Sequence, residues 1–217
     1  MKRQTNLADP RSGVAIIEFT LSLFVLVPLL LGIFVYGFRL VDAVEMDQIT
    51  RDVGRMYSRG INFRNAGPIS NAQTMASGFN LSAAPNGTSV LIFSTVRICQ
   101  QSDCDAANAP SPAGGTCANL GKLVFTEQVT LGNPNMGASG FGTPPLNGVS
   151  PTYSVSVADF GKNTAAQAGP AFTALFTGVT ALNPGEYAYV AEMWNKTPQL
   201  QIANLTGQPF VYARAIF

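Results

Sequence analysis

The chain has 217 residues, 47% of them hydrophobic and 12% charged, with 13 lysines and arginines against 12 acids for a formal charge of +1. So sparse and balanced a charge argues against a polyelectrolyte partner, and no nucleic acid is expected. Histidine is absent, which removes Ser-His-Asp and Cys-His catalysis and the usual imidazole metal sites, so neither an enzyme nor a cofactor is expected.

The amino terminus, Met1 to Gly13, carries Lys2, Arg3 and Arg11 against Asp9. From Phe19 through Phe38 twenty consecutive residues lack a charge; as a helix they would be about 30 Å long, enough to cross the hydrocarbon core of a bilayer. Pro28 inside this run predicts a bend, because neighbouring helices re-satisfy freed backbone groups in a span. The far side offers Arg39 and then Asp42, Glu45 and Asp47. The positive-inside bias therefore predicts a cytoplasmic amino terminus, with everything after about residue 40 outside the inner membrane. A removable secretory signal would have a shorter apolar core, about 7 to 15 residues, and a small-x-small cleavage site.

The start of the run is its unusual part. Gly13 is followed by Val14, Ala15, Ile16 and Ile17, and then by an acid, Glu18, ahead of Phe19. An ionised acid inside a spanning helix costs up to roughly 3 kcal/mol, so it marks a function or a partner. A cut between Gly13 and Val14 would give Val14 a free, largely protonated α-amine and make Glu18 the fifth residue of the mature chain. The two charges would then pair, either within one chain, one helical turn apart, or between neighbouring subunits of a helical assembly.

At these residues the chain resembles the type IV-like prepilins, which share a Gly, four mostly apolar residues, a Glu and an aromatic or hydrophobic residue. Glu18-Phe19-Thr20-Leu21, then Pro28-Leu29-Leu30-Leu31-Gly32 and Gly37, are similar to the amino-terminal segment of the TadE/TadG-like pseudopilins of tight-adherence (Tad, or Flp) pilus systems. The resemblance implies a leader over residues 1–13, processing at Gly13 and Val14 by a membrane prepilin peptidase, and an assembly role for Glu18 and Phe19. The partners it implies are the inner membrane, the peptidase, other pilins or pseudopilins and the pilus assembly platform.

Beyond Arg39 no Pro or turn cluster appears before Gly60, and apolar residues recur at Val41, Val44 or Met46, Ile49, Val53 and Met56-Tyr57. That spacing predicts one helix from Val14 to a stop at Gly60, its second half amphipathic and suited to packing on a sheet. Asp47 and Arg51 form a favourable i,i+4 pair, whereas Arg51, Arg55 and Arg59 repel one another mildly along a solvated face. Residues 61–87 read as a connector, with one short helix around Ser70 to Phe79 and a turn at Asn86-Gly87.

The period then changes to two. Strands are predicted over Thr88 to Ile98, Lys122 to Leu131, Thr152 to Val157, Glu186 to Trp194 and Pro209 to Phe217, each bounded by Gly, Pro or Asn. The Ala-rich stretch Thr164 to Phe176 is interrupted by Gly169-Pro170. Short connections favour antiparallel pairing. The expected architecture is α+β and pilin-like: a transmembrane helix over residues 14–60 whose outer half packs on an antiparallel sheet, with residues 61–217 forming a periplasmic domain. The loops at 132–151 and 195–208 are expected to be exposed and mobile, and Glu127, Glu192 and Arg214 to face outward.

Cys99, Cys104 and Cys117 fall between the first two strands. In an oxidising compartment one disulfide is expected, and three single pairings are open. A hairpin would set Cys99 and Cys117 near its neck, which favours that pair, with Cys104 and Cys117 second. The spacing lacks paired CxxC motifs and a fourth ligand, which argues against zinc. Asp103, Asp105 and Asn108 begin like a calcium loop but lack its sixth-position Gly and closing Glu.

Two functions fit these features. One is a minor pseudopilin in biogenesis of a tight-adherence pilus, cleaved after Gly13. The other is an uncleaved, single-pass anchored periplasmic scaffold or interaction protein of a secretion or pilus machine.

Overall fold

The computed structural model describes residues 11–106, 117–147, 152–154, 161, 163–170, 172–174, 182–196 and 210–217. In chain order the elements are α1 (Arg11–Ser58), α2 (Ala66–Met75), β1 (Ser89–Ile98), α3 (Gln101–Ala106), β2 (Leu123–Gly132), β3 (Thr152–Ser154), β4 (Tyr187–Lys196) and β5 (Phe210–Ile216), with 3₁₀ turns at Pro134–Met136 and Thr164–Ala166. The chain divides into two compact units, with the boundary between Val41 and Asp42. The first is the apolar part of α1. The second is an α+β domain that contains the rest of the helix.

Within the second unit, Met46, Ile49, Thr50, Val53 and Tyr57 are buried. Their spacing of three and four residues keeps them on one face of the helix. They join Leu91, Phe93, Val129, Leu131, Ala191, Met193 and Ala213 of the sheet in one core cluster, each large apolar side chain contributing about 2 kcal/mol by burial. Val44 is 51% exposed, so Met46 supplies the contact there. Tyr57 stacks on Phe93 at 5.1 Å between ring centroids and shares a 2.7 Å hydrogen bond with the Thr95 hydroxyl.

The helix stops where Gly60 allows it. Gly60 has φ of 82°, its N–H donates to the Tyr57 carbonyl at 2.9 Å, and the Ile61 N–H donates to Met56 at 3.2 Å. These two bonds satisfy carbonyls that the helix end leaves open. On the opposite side, Arg51 pairs with Asp47 at 2.9 Å. The connector that follows is part of the core: Phe63, Ala72, Ala76, Phe79 and Leu81 are buried in the same cluster. Its helix, α2, starts four residues before the predicted Ser70.

The sheet has five strands in the order β3-β2-β1-β4-β5, and every pairing is antiparallel. The predicted strands begin and end within about two residues of the observed ones wherever they are described; the positions expected at 155–157 lie outside the described residues. Eight of the ten residues of β1 are buried, because this central strand is covered on both faces. The helix covers one. On the other, Phe141, Ala166, Ala168 and Phe172 pack with Val96, Val124, Phe125, Ala188 and Val190 in a second core cluster.

This second layer corrects the expectation of an exposed, mobile loop at 132–151, as far as residue 147. Asn133 is buried, its side-chain amide donates to the Gly87 carbonyl at 2.8 Å, and Phe141 is 1% exposed. The chain here supplies apolar cover that the sheet would otherwise lack. Most of 195–208 lies outside the described residues.

Candidate functional site

The amino-terminal unit presents its residues outward. Val14, Ile16, Ile17, Phe19 and Leu21 are between 66% and 68% exposed. Glu18 is exposed as well and stands one turn from Val14. Ile16, Ile17, Thr20, Leu21 and Phe24 line one shallow groove. The Thr20 hydroxyl donates to the Ile16 carbonyl at 2.8 Å, so the groove's polar atom is satisfied within the helix and the surface it shows is apolar. Among the described residues this is the one helix long and apolar enough to cross a membrane, with a mean hydropathy of 2.5 over its most apolar window. Its length and composition are consistent with a single-pass membrane anchor.

Gly13 and Val14 both lie within α1. With Val14 as a terminus, a positive amine would sit at the helix start and Glu18 one turn along, where a carboxylate interacts favourably with the helix dipole.

A second cluster forms at the neck of the β1–β2 hairpin. The Cys99 N–H donates to Lys122 and the Gly121 N–H donates back to Cys99, both at 2.9 Å. The disulfide joins Cys104 to Cys117, with 5.9 Å between Cα atoms, and this corrects the preferred pairing of Cys99 with Cys117. The reason is local. Cys99 faces Gly121 and Lys122 across the ladder, while Cys117 sits at the preceding turn. The short helix α3 folds back and carries Cys104 within disulfide range of it. Asp103 holds α3 there: its carboxylate accepts from the Arg97 guanidinium and from the Gln100 N–H, the latter at 2.9 Å. Cys99 remains a buried thiol, and its sulfur lies 3.9 Å from that of Cys104. Burial, reinforced by Asp103 and opposed by Arg97, pushes the Cys99 thiol pKa up.

Asp103 of the calcium-like run is thus committed to Arg97 and the Gln100 amide; the side chains of Asp105 and Asn108 lie outside the described residues. Glu127 pairs with Arg64 at 3.4 Å on a partly exposed edge.

Glu192 is the residue that sequence reasoning misplaced. It is fully buried, not outward-facing, because the loop after β2 folds over it. Its carboxylate accepts from the Ser139 hydroxyl, from the Gly140 N–H at 2.9 Å and from the Tyr212 hydroxyl at 2.7 Å. Desolvation and the neighbouring carboxylate hold Tyr212 well above the usual tyrosine range. The carboxylate therefore ties the loop, β4 and β5 together. The small residues Ser139-Gly140 were its only local signal.

Neither a curated protein nor a solved structure matches the chain. Residues 13–55 match the family model described as TadE-like protein, beginning at Gly13 and ending inside α1. The chain therefore carries a TadE-like domain over its amino-terminal helix, which supports a part for it in the tight-adherence pilus system.

Proposed function

We propose that this chain is a minor pseudopilin of a tight-adherence pilus, cleaved after Gly13 by a prepilin peptidase and assembled through the Val14 amine and Glu18. The observation that carries the reading is an acid set five residues after Gly13, on an exposed apolar helix whose family match starts at that glycine. A carboxylate in that setting needs a counter-ion, and the amine created by the cut supplies one. Lys2, Arg3 and Arg11 before the span support an inside amino terminus and a domain outside the inner membrane. The role is one of assembly and not of catalysis, in keeping with a sequence that has no histidine.

Amino-terminal sequencing of protein extracted from the membrane and from sheared pili tests the reading. Val14 is the expected terminus. Gly13→Ala should slow the cut, and a bulky residue at that position should block it. Met1 or Lys2 at the terminus of assembled material would refute processing and leave the uncleaved anchored scaffold as the function.

A further inference from the structure

The helix α1 ends at Ser58, whereas β1, the strand beneath it, runs on to Ile98. Past the end of the helix the sheet is left with a groove of about 570 Å³, a volume within the range of small-molecule sites. Its floor is apolar and closed, made by the buried rings of Tyr57 and Phe63. Arg64 of the connector and Glu127 of β2 stand on one side, and Tyr187 and Tyr189 of β4 on the other. We propose that this groove is a binding site for a neutral saccharide.

The charge balance selects the class of ligand. Arg64 donates to Glu127 at 3.4 Å, and Arg97, which rests over the Tyr187 ring, is paired with Asp103. Each cation here has its own carboxylate. A phosphate would call for unspent cations, and an ammonium ligand for an unspent acid. An extended peptide would call for an open strand edge, and the groove has none: Glu127 pairs with Thr95 and Ser154, Thr95 with Glu127 and Tyr189, and Tyr189 with Thr95 and Phe217.

What the groove offers instead is donors and acceptors side by side, next to aromatic rings. The Arg64–Glu127 bond uses one guanidinium nitrogen and one carboxylate oxygen. The other Glu127 oxygen, the other Arg64 nitrogens and the Tyr189 hydroxyl have no hydrogen-bond partner among the described residues. Neighbouring hydroxyls of a pyranose each donate and accept, which suits a carboxylate beside a guanidinium. The C–H face of the sugar needs an apolar wall. Tyr187, 46% exposed, supplies it together with Tyr189, the two rings 28° from parallel and 6.5 Å apart. The Arg97 guanidinium donates to the Tyr187 hydroxyl at 3.3 Å and so holds that ring in place before a ligand arrives, which lowers the ordering cost of binding. Tyr57 and Thr95 satisfy each other's hydroxyls at 2.7 Å, so the floor demands nothing of the ligand.

The test applies the full chain, in a detergent that carries no sugar, to an array of neutral and acidic glycans and, separately, to purified peptidoglycan sacculi. Retention by neutral glycans is expected, with affinities then measured by calorimetry on the free oligosaccharide. Retention by sacculi as well would identify the cell wall as a source, and retention by array glycans alone a glycan outside it. Tyr187→Ala and Arg64→Ala should each weaken binding by about tenfold or more, whereas Tyr187→Phe, which keeps the ring, should lose less than about tenfold. Both side chains are exposed, so Tm and tryptophan emission should stay at wild-type values; if Tyr187→Ala alters them, Arg64→Ala on the opposite side decides. Retention of no glycan, retention of acidic glycans only, or undiminished binding in Arg64→Ala would overturn the proposal.

Discussion

Replacing Glu192 with alanine should loosen the layer that covers the outer face of the sheet. The substitution removes one carboxylate and leaves the Ser139 hydroxyl, the Gly140 N–H and the Tyr212 hydroxyl without their acceptor. A hydrogen bond to a charged acceptor contributes roughly 1.5–3 kcal/mol. Tyr212 is 37% exposed, so water can replace part of what its hydroxyl loses. The Gly140 amide and Ser139 hydroxyl regain less, and the full cost should be about 3 kcal/mol. For a domain of this size, where each kcal/mol moves the midpoint by roughly 2–4 °C, Tm should fall by roughly 6–12 °C. The single tryptophan reports the change directly, because Trp194 lies 4.4 Å from the Tyr212 ring between centroids. Its emission should shift toward that of solvated indole in the variant before the main transition. Tyr212→Phe removes one donor only and should cost about 1 kcal/mol. A loss below about 1 kcal/mol for Glu192→Ala, with unchanged tryptophan emission, would refute the view that this carboxylate pins the loop to the sheet.

Three other outcomes are expected. Glu18→Ala should give a chain that inserts and is cut after Gly13 yet fails to co-purify with pilus components, since an unpaired amine held in lipid costs several kcal/mol; wild-type recovery in pili would make Glu18 a passenger. Replacing Cys104 and Cys117 together with alanine should lower unfolding stability by about 3 kcal/mol, the usual effect of a closed loop of this length, and denaturant titration checks it. Tyr57 is buried and its pKa is raised, chiefly by desolvation. A raised folded pKa contributes stability that is complete below the unfolded tyrosine value near 10 and is lost as pH climbs from there toward the folded value, by about 1.4 kcal/mol per pH unit. Tyr57→Phe should flatten that alkaline loss in a pH series of denaturant titrations, and an unchanged slope would show that Tyr57 is not its source.

Local chemistry made much of this chain legible in its sequence. The span follows from twenty uncharged residues between Phe19 and Phe38, and the helix end follows from Gly60, the residue type that tolerates the positive φ its cap requires. The strands followed from period-two runs closed by turn residues. Each of these depends on neighbours a few positions away. Tertiary structure decided the rest. Only the pairing of β1 with both β2 and β4 places a strand with eight buried residues at the centre, although the unbroken Val90-Leu91-Ile92-Phe93 run was a trace of it. The partner of Cys117 depended on α3 folding back, and that depended on an ion pair between Arg97 and Asp103. Glu192 reads as an outward acid in any alternating strand until the loop 53 residues away in sequence is seen to supply its donors. Burial is a property of what lies across the sheet, and no local period encodes which distant segment will cover it.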